Sequence, residues 1–169
     1  RKAGTRVAIS PVRQAKLDIP LVRVEIESTG AIYRYMRLSR EIVEVPQWLR
    51  ARLDVGETTR MVHLRCLHLA DNKPFQFEDR WIHIAAVPDA EGESFEAINP
   101  NEWLVKAVPF TDVEFAFQAE PAEADVAAML GVKPSTAVFV AERTTWLSGM
   151  PVTFARMHFQ PGYRMVSRT

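Results

Sequence analysis

Residues Leu64 to Ile82 read LRCLHLADNKPFQFEDRWI, and this stretch decides the fold. Two apolar-rich runs flank Asp71-Asn72-Lys73-Pro74, a hairpin signal, because Asn tolerates the left-handed backbone of a tight turn. Beyond the turn, period-two alternation puts Gln76, Glu78, Arg80, Ile82 and Ile84 on one face and Phe75, Phe77, Asp79, Trp81 and His83 on the other. Glu78 and Arg80 therefore share a face in mid-strand, where an unpaired charge is costly to bury. Such a pair either neutralises itself or waits for a polar ligand.

The rest of the composition sets bounds. A chain of 169 residues with 47% hydrophobic content can bury a sizeable core in one domain. No apolar run approaches the roughly 20 residues of a membrane span, and Arg1-Lys2-Ala3-Gly4-Thr5-Arg6 has no signal-peptide core. The single cysteine, Cys66, lies among apolar residues and reads as an inert core thiol. With no partner for a disulfide, it fits a reducing cytoplasm. Net charge is zero but unevenly spread. Residues 1–60 hold 12 basic and 7 acidic groups, whereas residues 61–130 hold 4 and 13. Nucleic-acid affinity comes largely from neutralising phosphates, and this acidic centre supplies little of that.

Working outward, residues 1–17 have the look of a linker, with Pro11 and polar neighbours suiting an extended connector. From Asp18 the signals conflict. Asp18 before Ile19-Pro20 reads as a helix start and Gly30 as its stop, yet Val22, Val24 and Ile26 alternate with charged residues as in a strand. Residues 31–45 read as a strand, 46–53 as a short helix, and 59–70 with 75–85 as the hairpin. A loop holds Pro88 and Gly92. A helix is expected over Asn101 to Val108 and a half-buried strand over 111–119, with Val113, Phe115 and Phe117 inward. Pro121 to Leu130 reads as a helix ended by Gly131. Residues 137–146 and 151–159 form a last hairpin across Ser148-Gly149. Hairpins interrupted by helices of about ten residues indicate α+β with a mostly antiparallel sheet.

Signals for catalysis are sparse. Glu78 and Asp79 are neighbours on a strand and point to opposite faces, so they cannot act as an acid/base pair. His63 and His68 differ by five and also face apart, which argues against a metal site. Gly-x-Ser-x-Gly, a phosphate loop and a dinucleotide fingerprint do not occur. No cofactor and no metal are expected.

The first hairpin resembles the effector-binding (UTRA) domain of GntR-superfamily transcription regulators, in particular the histidine-utilisation (HutC) repressor branch. That branch carries Arg-x-x-His, a turn, a Pro and Glu-Asp-Arg, matched by Arg65, His68, Pro74, Glu78, Asp79 and Arg80. The last hairpin matches too, in Arg143-Thr144-Thr145-Trp146, Pro151-Val152, Ala155-Arg156 and Pro161-Gly162. Residues 1–8 resemble the end of the winged-helix wing that closes the DNA-binding domain in this superfamily.

The resemblance implies a chorismate-lyase-like fold, an antiparallel sheet flanked by helices, over residues 18–169. It implies a helix over 18–30 and a final strand from Tyr163. It also implies ligand contacts at His68 and Glu78, at Asn99 and Asn101, and at Thr153 and Phe159. Arg65, Arg80, Arg143 and Arg156 complete the expected site. Thr153 replaces an acid found in some relatives, against amino-sugar phosphates as ligand. A non-enzymatic sensor of a small carboxylate, with urocanate favoured, is implied. So are a cytoplasmic homodimer and DNA binding only through a separate N-terminal domain. A lyase sharing the fold is the alternative.

Simpler roles stay open at several positions. Glu78 with Arg80, or Glu142 with Arg143, could be ordinary salt bridges. His68 and Phe159 could belong to the core, and Asn99 or Asn101 could cap a helix. The charge distribution carries its own test: this chain alone should bind duplex DNA only nonspecifically. Sequence-specific retardation at physiological salt would overturn that expectation.

Overall fold

The computed structural model describes residues 21–166. The readings placed on residues 1–17, on Asp18 to Pro20 and on residues 167–169 lie outside them. Six strands form one antiparallel sheet in the order β1-β2-β3-β6-β5-β4. They are β1 (Tyr33–Glu44), β2 (Arg60–Ala70), β3 (Lys73–His83), β4 (Asp112–Pro121), β5 (Ala137–Leu147) and β6 (Met150–Phe159). The two hairpins, β2–β3 and β5–β6, join through the β3–β6 pair at the centre. Four helices accompany them: α1 (Val22–Ser28), α2 (Gln47–Leu53), α3 (Pro100–Ala107) and α4 (Ala124–Leu130).

Apolar burial shows how the layers pack. On one face, Leu64, Cys66 and Ile82 pack with Phe95 and with Leu104 of α3. On the opposite face, α2 covers Met61, Trp81 and Phe154 through Leu49 and Leu53. Further along that face, α4 covers Leu67, Phe77 and Val140 through Val126, Ala127 and Leu130. The connection from β3 to α3 is held by Arg40, whose guanidinium donates to the carbonyls of Ala90, Glu91 and Glu93. Tyr35 donates to the Phe95 carbonyl at 2.8 Å. Cys66 is buried beside Tyr35, and burial pushes its thiol up to about 12. An inert thiol is the result.

The turns follow local chemistry. Asp71 and Asn72 both adopt positive φ, 49° and 63°, as a two-residue hairpin turn of this hand requires. Asp71 also accepts from the backbone N–H of Ile32 at 2.8 Å. Ser148-Gly149 repeats the arrangement in the second hairpin. Asn99 caps α3, accepting from the N–H of Glu102 at 3.0 Å, with Pro100 at the first helical position. Gly131 ends α4 with φ 67°.

Four expectations need correction. The first helix is shorter than 18–30 among the described residues, running from Val22 to Ser28. The helix expected from Pro121 starts at Ala124, because Pro121 ends β4 by pairing with Ala137. Strand β4 is a sheet edge, so Val113 and Phe117 stay 43% and 41% exposed instead of packing inward. The final strand expected from Tyr163 is absent among the described residues, where 163–166 have no regular structure.

Each hairpin also carries a register shift that simple alternation misses. In the first, Leu69 pairs with Pro74 but His68 pairs with Gln76, leaving Phe75 as the extra residue. Phe75 consequently packs against Phe159 and Tyr163 and not beside Phe77. In the second, Trp146 pairs with Pro151 but Thr145 pairs with Thr153, so Val152 is extra.

Candidate effector site

These two register shifts decide which side chains meet. Cross-strand partners share a face. The first shift sets His68 beside Gln76 and Cys66 beside Glu78. Arg80 then faces Ala155, and Arg143 faces the same Ala155 from β5. Thr145 pairs with Thr153. One face of the central strands thus carries His68, Gln76, Glu78, Arg80, Arg143, Thr145 and Thr153.

A cleft of about 310 Å³ opens over this face, within the range of small-ligand sites. Its polar lining is Arg80, Arg143, Asn101, Thr145 and Thr153. Its apolar wall comes from α3, through Leu104, Val105 and Val108, and from Val113 and Phe115 of β4. A much smaller compartment of about 30 Å³ adjoins it, sharing Asn101, Phe115 and Arg143. Glu25, Gln76, Glu78 and Phe159 line that second space.

The electrostatics are asymmetric. Arg80 and Glu78 are 0% and 1% exposed, and Arg80 Nε donates to Glu78 Oε1 at 2.5 Å. Burial by itself would raise the Glu78 pKa; the Arg80 charge and the hydrogen bond from His68 overcome it and hold the carboxyl well below the usual range. Arg80 Nη1 lies 3.4 Å from Thr153 Oγ1, and Thr153 in turn donates to the Trp81 carbonyl at 2.8 Å. Nη2 of Arg80 is buried without a partner.

Arg143 has no such carboxylate. Among the described residues it makes no salt bridge, and its hydrogen-bond partner is Asn101 Oδ1. Its Nε is buried and unpaired. Burial pushes the guanidinium down to about 9, the like charge of Arg80 adds to this, and Glu78 opposes it. It remains charged at neutral pH and lines, with Arg80, a cleft that contains no acid; the carboxylates of Glu78 and Glu25 line the adjoining compartment. A carboxylate entering there would meet a guanidinium with no acid partner in a low-dielectric setting, where bidentate pairing is strongest.

Other expected residues lie elsewhere. Arg65 and Arg156 are on the opposite face of the sheet and do not meet the cleft. Arg65 pairs with Asp125 at 3.0 Å and lies over the Phe77 ring, whereas Arg156 pairs with Glu120 at 2.5 Å. Asn99 is buried as the α3 cap and lines neither compartment. His68 is fully buried behind Glu78, 3.4 Å from its Oε2, also outside the lining. Residues not singled out beforehand complete the wall, notably Thr145 and Phe115. Their signal was present: both lie an even number of residues from a neighbour that lines the cleft, Thr145 from Arg143 and Phe115 from Val113.

The UTRA domain family model matches residues 28–162, and the chain belongs to that family of effector-binding domains. It is 29% identical to the histidine utilization repressor of Klebsiella aerogenes, over 98% of this chain and 69% of that one. It is 30% identical to the histidine utilization repressor of Pseudomonas aeruginosa, over 95% of this chain and 64% of the relative. The C-terminal domain of the histidine utilization repressor from Pseudomonas syringae has the same fold. That comparison has a TM-score of 0.76 and 25% identity, covering 82% of this chain and 99% of that structure. No helix among the described residues is long and apolar enough to cross a membrane.

The buried pair yields a stability prediction. Glu78→Ala leaves Arg80 charged and unmatched, which should cost about 3–5 kcal/mol, measured by urea denaturation at pH 7. Because folding depresses the Glu78 pKa, its contribution is full above its unfolded value of about 4.3 and is lost as pH falls towards the folded value. Glu78→Gln should therefore flatten the acid limb of stability against pH. An unchanged acid limb would contradict this.

Proposed function

We propose that this chain is the sensing domain of a histidine-utilisation-type repressor whose effector is a small carboxylate, with urocanate favoured. The observation that carries the reading is the cleft's lining: Arg143 and Arg80 stand in it with no acid, while Glu78, paired with Arg80, and Glu25 line the adjoining compartment. A guanidinium with no acid partner of its own suits a carboxylate. Urocanate also offers a flat imidazole, and the apolar wall of Leu104, Val108 and Phe115 suits its conjugated body. Gln76 and Glu78, in the adjoining compartment, are acceptors for an imidazole N–H.

The similar proteins with stated roles are repressors and GntR-family regulators, which favours a sensor over a lyase. DNA reading would belong to an N-terminal domain, and effector binding would shift its affinity by differential binding to two states. A two-fold homodimer would match the symmetry of paired DNA half-sites.

Calorimetry with urocanate tests the site. Arg143→Ala should weaken binding about 100-fold, roughly 3 kcal/mol, whereas Arg65→Ala and Arg156→Ala should bind as wild type. Wild-type affinity in Arg143→Ala would sink the carboxylate assignment, and turnover of urocanate or chorismate would sink the sensor reading. The dimer is tested separately by light scattering, where a monomer at high micromolar concentration counts against it.

A further inference from the structure

A chain of hydrogen bonds behind the cleft has a direction that can be worked out atom by atom. It begins at the start of α3. Asn99 Oδ1 accepts from the Glu102 backbone N–H at 3.0 Å, so the capping bond fixes which end of the amide is oxygen. Asn99 Nδ2 must then be the group facing Glu102 Oε1 at 2.9 Å and the Tyr33 hydroxyl at 3.1 Å. An amide nitrogen only donates. The Tyr33 oxygen therefore accepts from Asn99, and its own hydrogen is free to go elsewhere.

The other partner of that hydroxyl is His68 Nδ1, at 2.9 Å. Burial holds the Tyr33 phenol well above its ordinary range, so it keeps its hydrogen, and with Asn99 already donating to the oxygen, His68 Nδ1 is the partner that hydrogen can reach. A neutral imidazole that accepts at Nδ1 carries its proton on Nε2. That atom lies 3.4 Å from Glu78 Oε2 and has no closer partner among the described residues.

We propose that Tyr33 is a positioning residue for the effector site, fixing His68 as the Nε2–H tautomer and so turning an N–H toward the Glu78 carboxylate. The proposal rests on the reading of the cleft as a carboxylate sensor. Its consequence passes outward through three side chains. Glu78 has one oxygen toward His68 and the other on Arg80 Nε. With both oxygens engaged, the carboxylate is held in one orientation, and Arg80 Nη2 stays unpaired at the cleft. The opposite tautomer would aim a lone pair of Nε2 at Glu78 and loosen that orientation. Tyr33 is itself held from outside the site. Arg23 of α1 lies 4.4 Å over its ring and donates to Glu102 Oε1 at 2.6 Å. Tyr33 lines neither compartment, and the side chain that links it to Glu78 is His68.

Long-range proton–nitrogen NMR on the ligand-free chain reads the tautomer directly, and urocanate titration reads the affinity. Wild-type His68 should carry its proton on Nε2. Tyr33→Phe should give mixed tautomers and bind urocanate about tenfold more weakly. Asn99→Asp keeps an oxygen for the helix cap but replaces the donor that faces Tyr33. It should move the His68 proton towards Nδ1 and weaken binding at least as much. Thermal midpoints measured in parallel show that each variant folds.

A wild-type proton on Nδ1 overturns the proposal. So does a tautomer change without loss of affinity, or a loss of affinity without a tautomer change, which would mark a merely structural role. The two readings fail separately. If wild-type chain does not bind urocanate, the effector assignment falls, while the ligand-free spectra still decide the tautomer.

Discussion

Everything at the cleft depends on a carboxylate and a guanidinium buried together in mid-sheet. Removing Glu78 and Arg80 from water is expensive, and their attraction repays this only when the geometry is good and the remaining valences are met. Those conditions are met from several directions, with Arg80 Nη2 left unpaired. Arg80 is gripped by Glu78 and Thr153, Glu78 faces His68, and His68 is bonded to Tyr33. A pair so enclosed is rigid, and rigidity is what lets a second cation be placed beside it. Arg143 introduces a charge that this network does not cancel, at the point where the cleft is open to a ligand.

The opposite face of the same sheet shows the contrast. Arg156 is flanked by Glu120 and Glu142, and Arg52 also reaches Glu142, at 2.6 Å. Arg65 meets Asp125, and His63 meets Asp79 at 2.5 Å. Each arginine there has an acid of its own, and the pairs are partly solvated, where individual ion pairs contribute little. Residue type therefore does not distinguish Arg143 from Arg156. What separates them is whether a counter-charge lies within reach.

Much of the fold could be read from residue patterns: both hairpins, their turns, the α3 region and the antiparallel sheet. The site was legible only in part, and the reason is specific. Counting back from the turn at Asp71-Asn72 without a bulge pairs Arg65 with Glu78 and His68 with Phe75. The extra residue Phe75 changes this, bringing His68 to the Glu78 side and sending Arg65 to Asp79. Counting from Ser148-Gly149 pairs Arg143 with Phe154, on the face of Arg156. The extra residue Val152 moves Arg143 opposite Ala155, beside Arg80 and Thr153. A one-residue slip exchanges the faces of a strand, so two bulges sort the four arginines. Neither bulge contains a glycine to advertise it. The exposed edge strand β4 was misread for a related reason: alternation shows that a strand has two faces but not whether anything covers one of them.

Helix α3 is where the two halves of the site meet. Its cap, Asn99, directs the hydrogen bonds that run to His68, and two residues later Asn101 holds Arg143. Its apolar residues Leu104, Val105 and Val108 wall the cleft, while Glu102 ties it to Arg23 of α1. A ligand that neutralised Arg143 would compete with Asn101 for the guanidinium and press on the same helix. Occupancy of the cleft would then be felt at α3 both through polar contacts and through packing. Because Glu102 of α3 is paired with Arg23 of α1, that disturbance has a short hydrogen-bonded path to the first helix of the described chain. The interactions that hold Arg143 at the cleft are thus among those that connect it to the rest of the molecule.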